Sequence, residues 1–185
     1  SGDHGLLLEE RAPFGVIAAI TPTTNPTSTI ICNTIGMLAA GNSVVFNVHQ
    51  NAKKTSIHNI HLLNEAITGA GGPKNVVTTI AEPTVESAGA LMKHPGIRIL
   101  VVTGGAGVVK AAMMSGKRAI CAGPGNPPVV VDETAVIEKA GRDIVRGASF
   151  DNNVICTDEK EVFVVASVAE KLKKAMTAAG GYELK

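Results

Sequence analysis

The chain is poor in the bulky residues that usually fill a core: it has no tryptophan, one tyrosine and four phenylalanines, 3% aromatic in 185 residues. Since 45% of it is hydrophobic all the same, the interior must be aliphatic and packed through short side chains. Charge of one sign is missing as well. Seventeen basic against sixteen acidic residues leave a formal net charge of +1, so there is no basic surplus for a phosphate-backbone footprint and composition argues against a nucleic-acid partner. No apolar run is long enough for a membrane span. Phe14–Ile20, Ile99–Val102 and Pro127–Val131 are strand-sized, far short of the roughly 20 residues a spanning helix needs. The three cysteines, Cys32, Cys121 and Cys156, are odd in number with no CxxC or metal-ligand spacing. No charged-then-apolar leader opens the chain, and together these features point to a reducing cytoplasm.

What the chain has in quantity is glycine, 20 residues, and a repeated rhythm. The continuous apolar run Gly15–Thr21 predicts a buried strand running into the turn Pro22–Pro26. Apolar residues then recur at helical spacing from Thr27 to Ala40, and Gly41-Asn42 supplies the stop. Strand-like segments follow at 43–47, 75–80 and 98–102. Helices alternate with them, one marked by Ile57, Ile60, Leu63 and Ile67, one over 83–94 and one over about 105–114. Two short extended runs, 117–121 and 128–131, flank the turn-rich Ala122-Gly-Pro-Gly-Asn-Pro127. An amphipathic helix over 133–148, a strand over 161–166 and a helix over 168–179 close the pattern. The alternation predicts an α/β fold: a mostly parallel Rossmann-like sheet with helices on both faces. Ligands in such sheets bind outside the carboxyl ends of the strands. That singles out the loops Thr21–Asn25, Asn47–Asn51 and Thr103–Gly107.

Thr103-Gly-Gly-Ala-Gly107 lies between a strand and a helix, where small residues let the backbone approach a phosphate. It is neither GxGxxG nor a Walker A motif, and a plain tight turn accounts for it equally well on local grounds. Cys156 stands in Ser149-Phe-Asp-Asn-Asn-Val-Ile-Cys156-Thr, a polar, turn-prone stretch that offers a structural thiol little to pack against and a nucleophile the exposure it needs. Cys32, within an apolar helix, and Cys121, closing an apolar strand, read instead as small hydrophobes. His58 and His61 have i, i+3 spacing but no carboxylate motif nearby, so a helix surface is the better reading than a metal site. His49 follows the second strand and is open to either ligand contact or solvation.

Three motifs in order resemble the aldehyde dehydrogenase superfamily, and within it the coenzyme-A-acylating branch that includes propanediol- and ethanolamine-utilisation enzymes. Ala12-Pro-Phe-Gly-Val-Ile-Ala-Ala-Ile-Thr-Pro-Thr-Thr-Asn-Pro-Thr27 is similar to the family's first nucleotide-domain strand and its Asn-bearing loop. Val102-Thr-Gly-Gly-Ala-Gly107 resembles its phosphate-side turn, and Ser149–Cys156 resembles the nucleophile segment of acylating members. The resemblance implies a nucleotide-binding domain over 1–131, without the family's amino-terminal region. It also implies the opening of a second α/β catalytic domain over 132–185, so that the chain reads as a fragment.

The resemblance further implies Cys156 as nucleophile, with the oxyanion held by the Asn25 amide and the Cys156 backbone N–H. NAD would be bound through Thr23, Thr24, Asn47, His49, Thr103, Gly104 and Gly105. Coenzyme A would be the acyl acceptor, a short-chain aldehyde the substrate, and a homo-oligomer the full-length form, with a bacterial microcompartment as its setting. Two departures from hydrolytic relatives stand out. Ala122 occupies the place of their water-activating Glu, which favours a thioester that waits for coenzyme A. Asn47-Val48 replaces their Lys-Pro, and Asn47–Gln50 contains no acidic residue to mark NAD over NADP. The same Asn loop and Cys would also suit the aldehyde half of a bifunctional aldehyde/alcohol dehydrogenase. A segment of this length could equally act in isolation as a nucleotide-binding module without activity.

Overall fold

The computed structural model describes residues 2–184. They form two compact units, the first running through Gly123 and the second from Pro124.

In the first unit β1 (Val16–Ile20), β2 (Ser43–Asn47), β3 (Val77–Thr79), β4 (Ile97–Thr103) and β5 (Arg118–Ala122) make one sheet in the order β3-β2-β1-β4-β5. All its pairings are parallel. The helices between them are α1 (Pro26–Ala39), α2 (Lys53–Gly69), α3 (Val85–Lys93) and α4 (Ala106–Met113). The central strand shows how the sequence builds both layers. Ile17 and Ala19 join Ile30, Phe46 and Ile60 in one buried cluster. Ala18 and Ile20 join Ala88, Met92, Leu100 and Ala112 in the other. Alternate side chains point to opposite faces of a strand, so a run apolar at every position must have helices above and below it. Strand order runs outward from β1 to β3 and then turns back to β4. With right-handed crossovers, that reversal moves α3 and α4 to the face opposite α1 and α2.

The predicted stop after α1 is a helix-terminal motif. Gly41 adopts φ +77°, its N–H donates to Leu38 O at 2.9 Å and the Asn42 N–H to Met37 O at 3.0 Å. This is the paired bonding of a Schellman turn, in which glycine carries the left-handed residue without steric cost. Cys32 departs from expectation: it is exposed. The buried positions of α1 are Ile30, Thr34 and Met37, and residue 32 lies about 200° around the helix from residue 30.

In the second unit β6 (Pro128–Val131) pairs in parallel with β7 (Glu161–Val164), and α5 (Ile137–Ala148) and α6 (Ala166–Ala178) cover one face. Val131, Ile144 and Leu172 form its core, flanked by Val129, Val162 and Val164. The compact units divide at Gly123/Pro124, with β6 in the second because it takes its partner from 30 residues downstream rather than from β5. α5 starts later than expected, at Ile137. Asp132 accepts from the Thr134 N–H and hydroxyl, and this Asx turn delays the helix. Among the described residues no helix is long and apolar enough to cross a membrane.

Candidate active site

In the first unit the carboxyl ends of β1 and β4 are adjacent, with Ile20 opposite Val102, at the point where strand order reverses. This is where open α/β sheets place their ligands. After β1 the chain turns through exposed Thr23 and Thr24 to Asn25, the N-cap of α1, with Pro26 in the first turn. An Asn at this position normally returns its side-chain oxygen to the first helical N–H groups. Asn25 makes no such bond. Its Oδ1 accepts from the Thr24 hydroxyl at 3.0 Å, which leaves the NH₂ group as the uncommitted end of the amide among the described residues.

After β4, half-buried Thr103 and Gly104 lead to Gly105, the N-cap of α4. The Gly104 N–H donates to Ala122 O at 3.1 Å, fixing the turn against β5. A Cβ at Gly105 or Gly107 would meet nothing within 4 Å, and Gly105 has φ −66°, open to any residue. Neither packing nor backbone conformation demands glycine there. A bare backbone at a helix N-terminus does suit the approach of a phosphate. The helix ends at this edge differ in a telling way. α1 and α4 have no side-chain cap and no acidic residue in their first turns. α3 is closed by the Thr84/Ser87 capping box and carries Glu86. Backbone and Thr84 hydrogen bonds hold the Glu86 carboxyl below its usual range. The positive ends of α1 and α4, which flank the point where strand order reverses, are thus open to an external anion.

After β2, Asn47 is placed differently from what the sequence suggested. It is buried, its Oδ1 accepts from the Ser87 hydroxyl at 2.6 Å and its amide donates to Thr84 O at 3.4 Å. Its side chain ties β2 to the start of α3. His49 is exposed and caps the 3₁₀ turn Gln50–Ala52, its Nδ1 accepting from the Asn51 N–H at 3.2 Å, which leaves Nε2 facing outward. His58 and His61 are exposed on α2. Among the described residues no three His, Cys, Asp or Glu side chains gather as metal ligands would.

Cys156 is exposed in the second unit. The turn before it contains three successive left-handed residues, Asp151 (φ 45°), Asn152 (φ 54°) and Asn153 (φ 60°). Such backbone costs most L-residues about 1–2 kcal/mol each and is most accessible to Asn and Asp. Side chains that the sequence reading passed over hold it in place. The Asn153 amide donates to Ala148 O at 2.6 Å and Glu159 O at 3.1 Å. The Lys160 ammonium donates to Asn153 O, Asn153 Oδ1 and Ile155 O at 3.0, 2.5 and 3.2 Å. Gly125, in the Ala122–Pro127 stretch, lies so close that a Cβ on it would overlap the Cys156 carbonyl oxygen. Consecutive Asn residues were the available signal for the left-handed turn. Nothing local marked Lys160 or Gly125.

The first unit is a doubly wound parallel α/β sheet, and the second unit presents an exposed cysteine after a left-handed turn. The chain belongs to the aldehyde dehydrogenase family, whose pattern residues 2–181 match. It is 57% identical over 177 residues to the acetaldehyde dehydrogenase (acetylating) EutE of Salmonella typhimurium, covering 95% of this chain and 38% of that protein. Among solved structures it resembles a propionaldehyde dehydrogenase from the Clostridium phytofermentans fucose utilisation bacterial microcompartment. The TM-score is 0.90 at 53% identity, over 95% of this chain and 41% of that one. It also resembles Rhodopseudomonas palustris propionaldehyde dehydrogenase with bound CoA and an acylated cysteine, at TM-score 0.89 and 55% identity, over 94% of this chain and 40% of that one. The chain spans about two-fifths of the length of these relatives.

Proposed function

We propose that this protein is a coenzyme-A-acylating aldehyde dehydrogenase, oxidising a short-chain aldehyde with NAD and passing the acyl group from Cys156 to coenzyme A. One observation carries the reading: the exposed Cys156 sits on a braced turn, with Gly125 of the Ala122–Pro127 stretch against its carbonyl, and that stretch holds no acid or base. Cys156 as thiolate adds to the aldehyde carbon, giving a thiohemiacetal oxyanion to which its own backbone N–H donates, and the family resemblance implies the Asn25 amide as the second donor. The uncapped ends of α1 and α4 and the open Gly105–Gly107 backbone suit a dinucleotide's phosphates, with Thr23, Thr24, Thr103 and Gly104 beside them and His49 toward the adenosine. A nicotinamide held there would supply the hydride acceptor that the oxidation of the aldehyde carbon requires. Cys156 then carries an acyl thioester. With Ala122 in place of a water-activating carboxylate, the thioester persists until the coenzyme A thiolate attacks it and Cys156 departs as thiolate. The microcompartment relative supports the same kind of compartment for this protein.

The test is the fate of the acyl group in the whole protein. With coenzyme A present, acyl-CoA and NADH are expected to form in equal amounts. Without it, a burst of about one NADH per chain followed by slow release is expected. Free acid produced at full rate without coenzyme A would sink the reading.

The Gly125 contact yields a further expectation. In Gly125→Ala the new methyl meets backbone, not a flexible side chain, so the Cys156 turn has to move. A displacement of about 1 Å in a reacting group can cost on the order of 10²-fold in turnover. We expect a kcat loss of that order, with thiol titration still finding Cys156 reactive toward a small disulfide.

A further inference from the structure

The Ile155 carbonyl is held from two sides. The Asp158 N–H donates to it at 3.3 Å, closing a turn over Cys156, and the Lys160 ammonium donates to it at 3.2 Å. That carbonyl shares its peptide unit with the Cys156 N–H. No cis bond occurs among the described residues, so the planar trans unit directs N–H opposite to C=O. Holding the carbonyl therefore aims the N–H. An ammonium on the carbonyl oxygen also draws electron density from the amide and makes its N–H a stronger donor, as in cooperative hydrogen-bond chains.

The use made of the lysine charge is unusual. Among the described residues no carboxylate stands within ion-pair distance of Lys160. Its three contacts are all with neutral oxygens of Asn153 and Ile155. The same ammonium thus locks the last left-handed residue of the turn and the peptide that ends at the nucleophile.

We propose that Lys160 is a positioning residue for the oxyanion: by holding the Ile155 carbonyl it orients and polarises the Cys156 N–H toward the charge that develops on the bound aldehyde. This rests on the reading of Cys156 as nucleophile. Removing one oxyanion donor outright costs about 10²- to 10³-fold. Weakening and misaiming one should cost less, about 10- to 10²-fold.

The experiment compares two reactions of the same thiol in the whole protein, wild type against Lys160→Met. Aldehyde oxidation forms an oxyanion; alkylation by iodoacetamide, a displacement at a saturated carbon, does not. The expected result is a kcat lowered about 10- to 10²-fold, with KM for NAD and the alkylation rate of Cys156 both within about threefold of wild type. Lys160→Arg, keeping charge and donors, should recover most of the loss. Equal losses in oxidation and alkylation would overturn the proposal, since they would show a collapsed turn or a thiolate effect; so would an unchanged kcat, or no recovery by arginine. Should Lys160→Met fail to fold, Lys160→Gln, which keeps N–H donors without the charge, serves in its place under the same criteria. Cys156→Ala in parallel separates the two readings: oxidation that survives it removes the nucleophile assignment itself, whatever Lys160 does.

Discussion

Cys156→Ala is expected to abolish aldehyde-dependent NADH formation in the whole protein, a fall on the order of 10⁴-fold or more, as for other covalent nucleophiles removed from a working site. Exposure alone does not single out this thiol, because Cys32 is exposed too. Setting does. Cys32 rides on the solvent side of a regular helix, opposite Ile30, Thr34 and Met37. Cys156 follows three left-handed residues braced by Asn153 and Lys160. Irregular backbone of that kind persists only where surrounding bonds over-determine it, and it concentrates at functional sites. Steady-state NADH absorbance with Cys32→Ser as the control checks the assignment. A Cys156→Ala enzyme retaining even a tenth of wild-type turnover, or a Cys32→Ser enzyme losing it, would move the nucleophile elsewhere.

The features legible in the sequence are those written locally. β1 was readable because Val, Ile and Ala run without a polar break, and the sheet's two layers followed because every β1 position is apolar; the other strands carry short β-branched or apolar stretches between turn signals. The Asn25 loop and the Thr103–Gly107 turn were legible as turns at strand ends, which is where the reversed strand order puts the ligand edge. What escaped was decided by distant partners. β6 reads as a continuation of the first unit until β7 claims it. Asn47 looks like a ligand contact at a strand end until Ser87, 40 residues on, takes its oxygen. Lys160 is one charged residue among several in a polar turn until the left-handed backbone folds three oxygens onto its ammonium. Cys32 is the exception, since the helical period already placed it off the buried face and only the apolar character of its neighbours suggested otherwise.

Asn25→Ala gives the second large effect and separates a functional asparagine from a structural one. A capping Asn at a helix N-terminus loses about 0.5–2 kcal/mol of stability on truncation to Ala. Asn25 stands at that position without making the capping bond; its oxygen goes to the Thr24 hydroxyl. Truncation should therefore leave the melting temperature nearly unchanged. In turnover the expectation is reversed. If the Asn25 amide donates to the thiohemiacetal oxyanion, its removal should lower kcat about 10²- to 10³-fold, the cost of one oxyanion-hole donor. Asn25→Asp should be at least as damaging, because a carboxylate replaces a donor with a negative charge facing a negative charge. The two measurements pull apart in opposite directions for the two roles. A stable but slow Asn25→Ala enzyme assigns the side chain to the oxyanion. A destabilised enzyme of near-normal kcat assigns it to the helix end and removes it from the oxyanion.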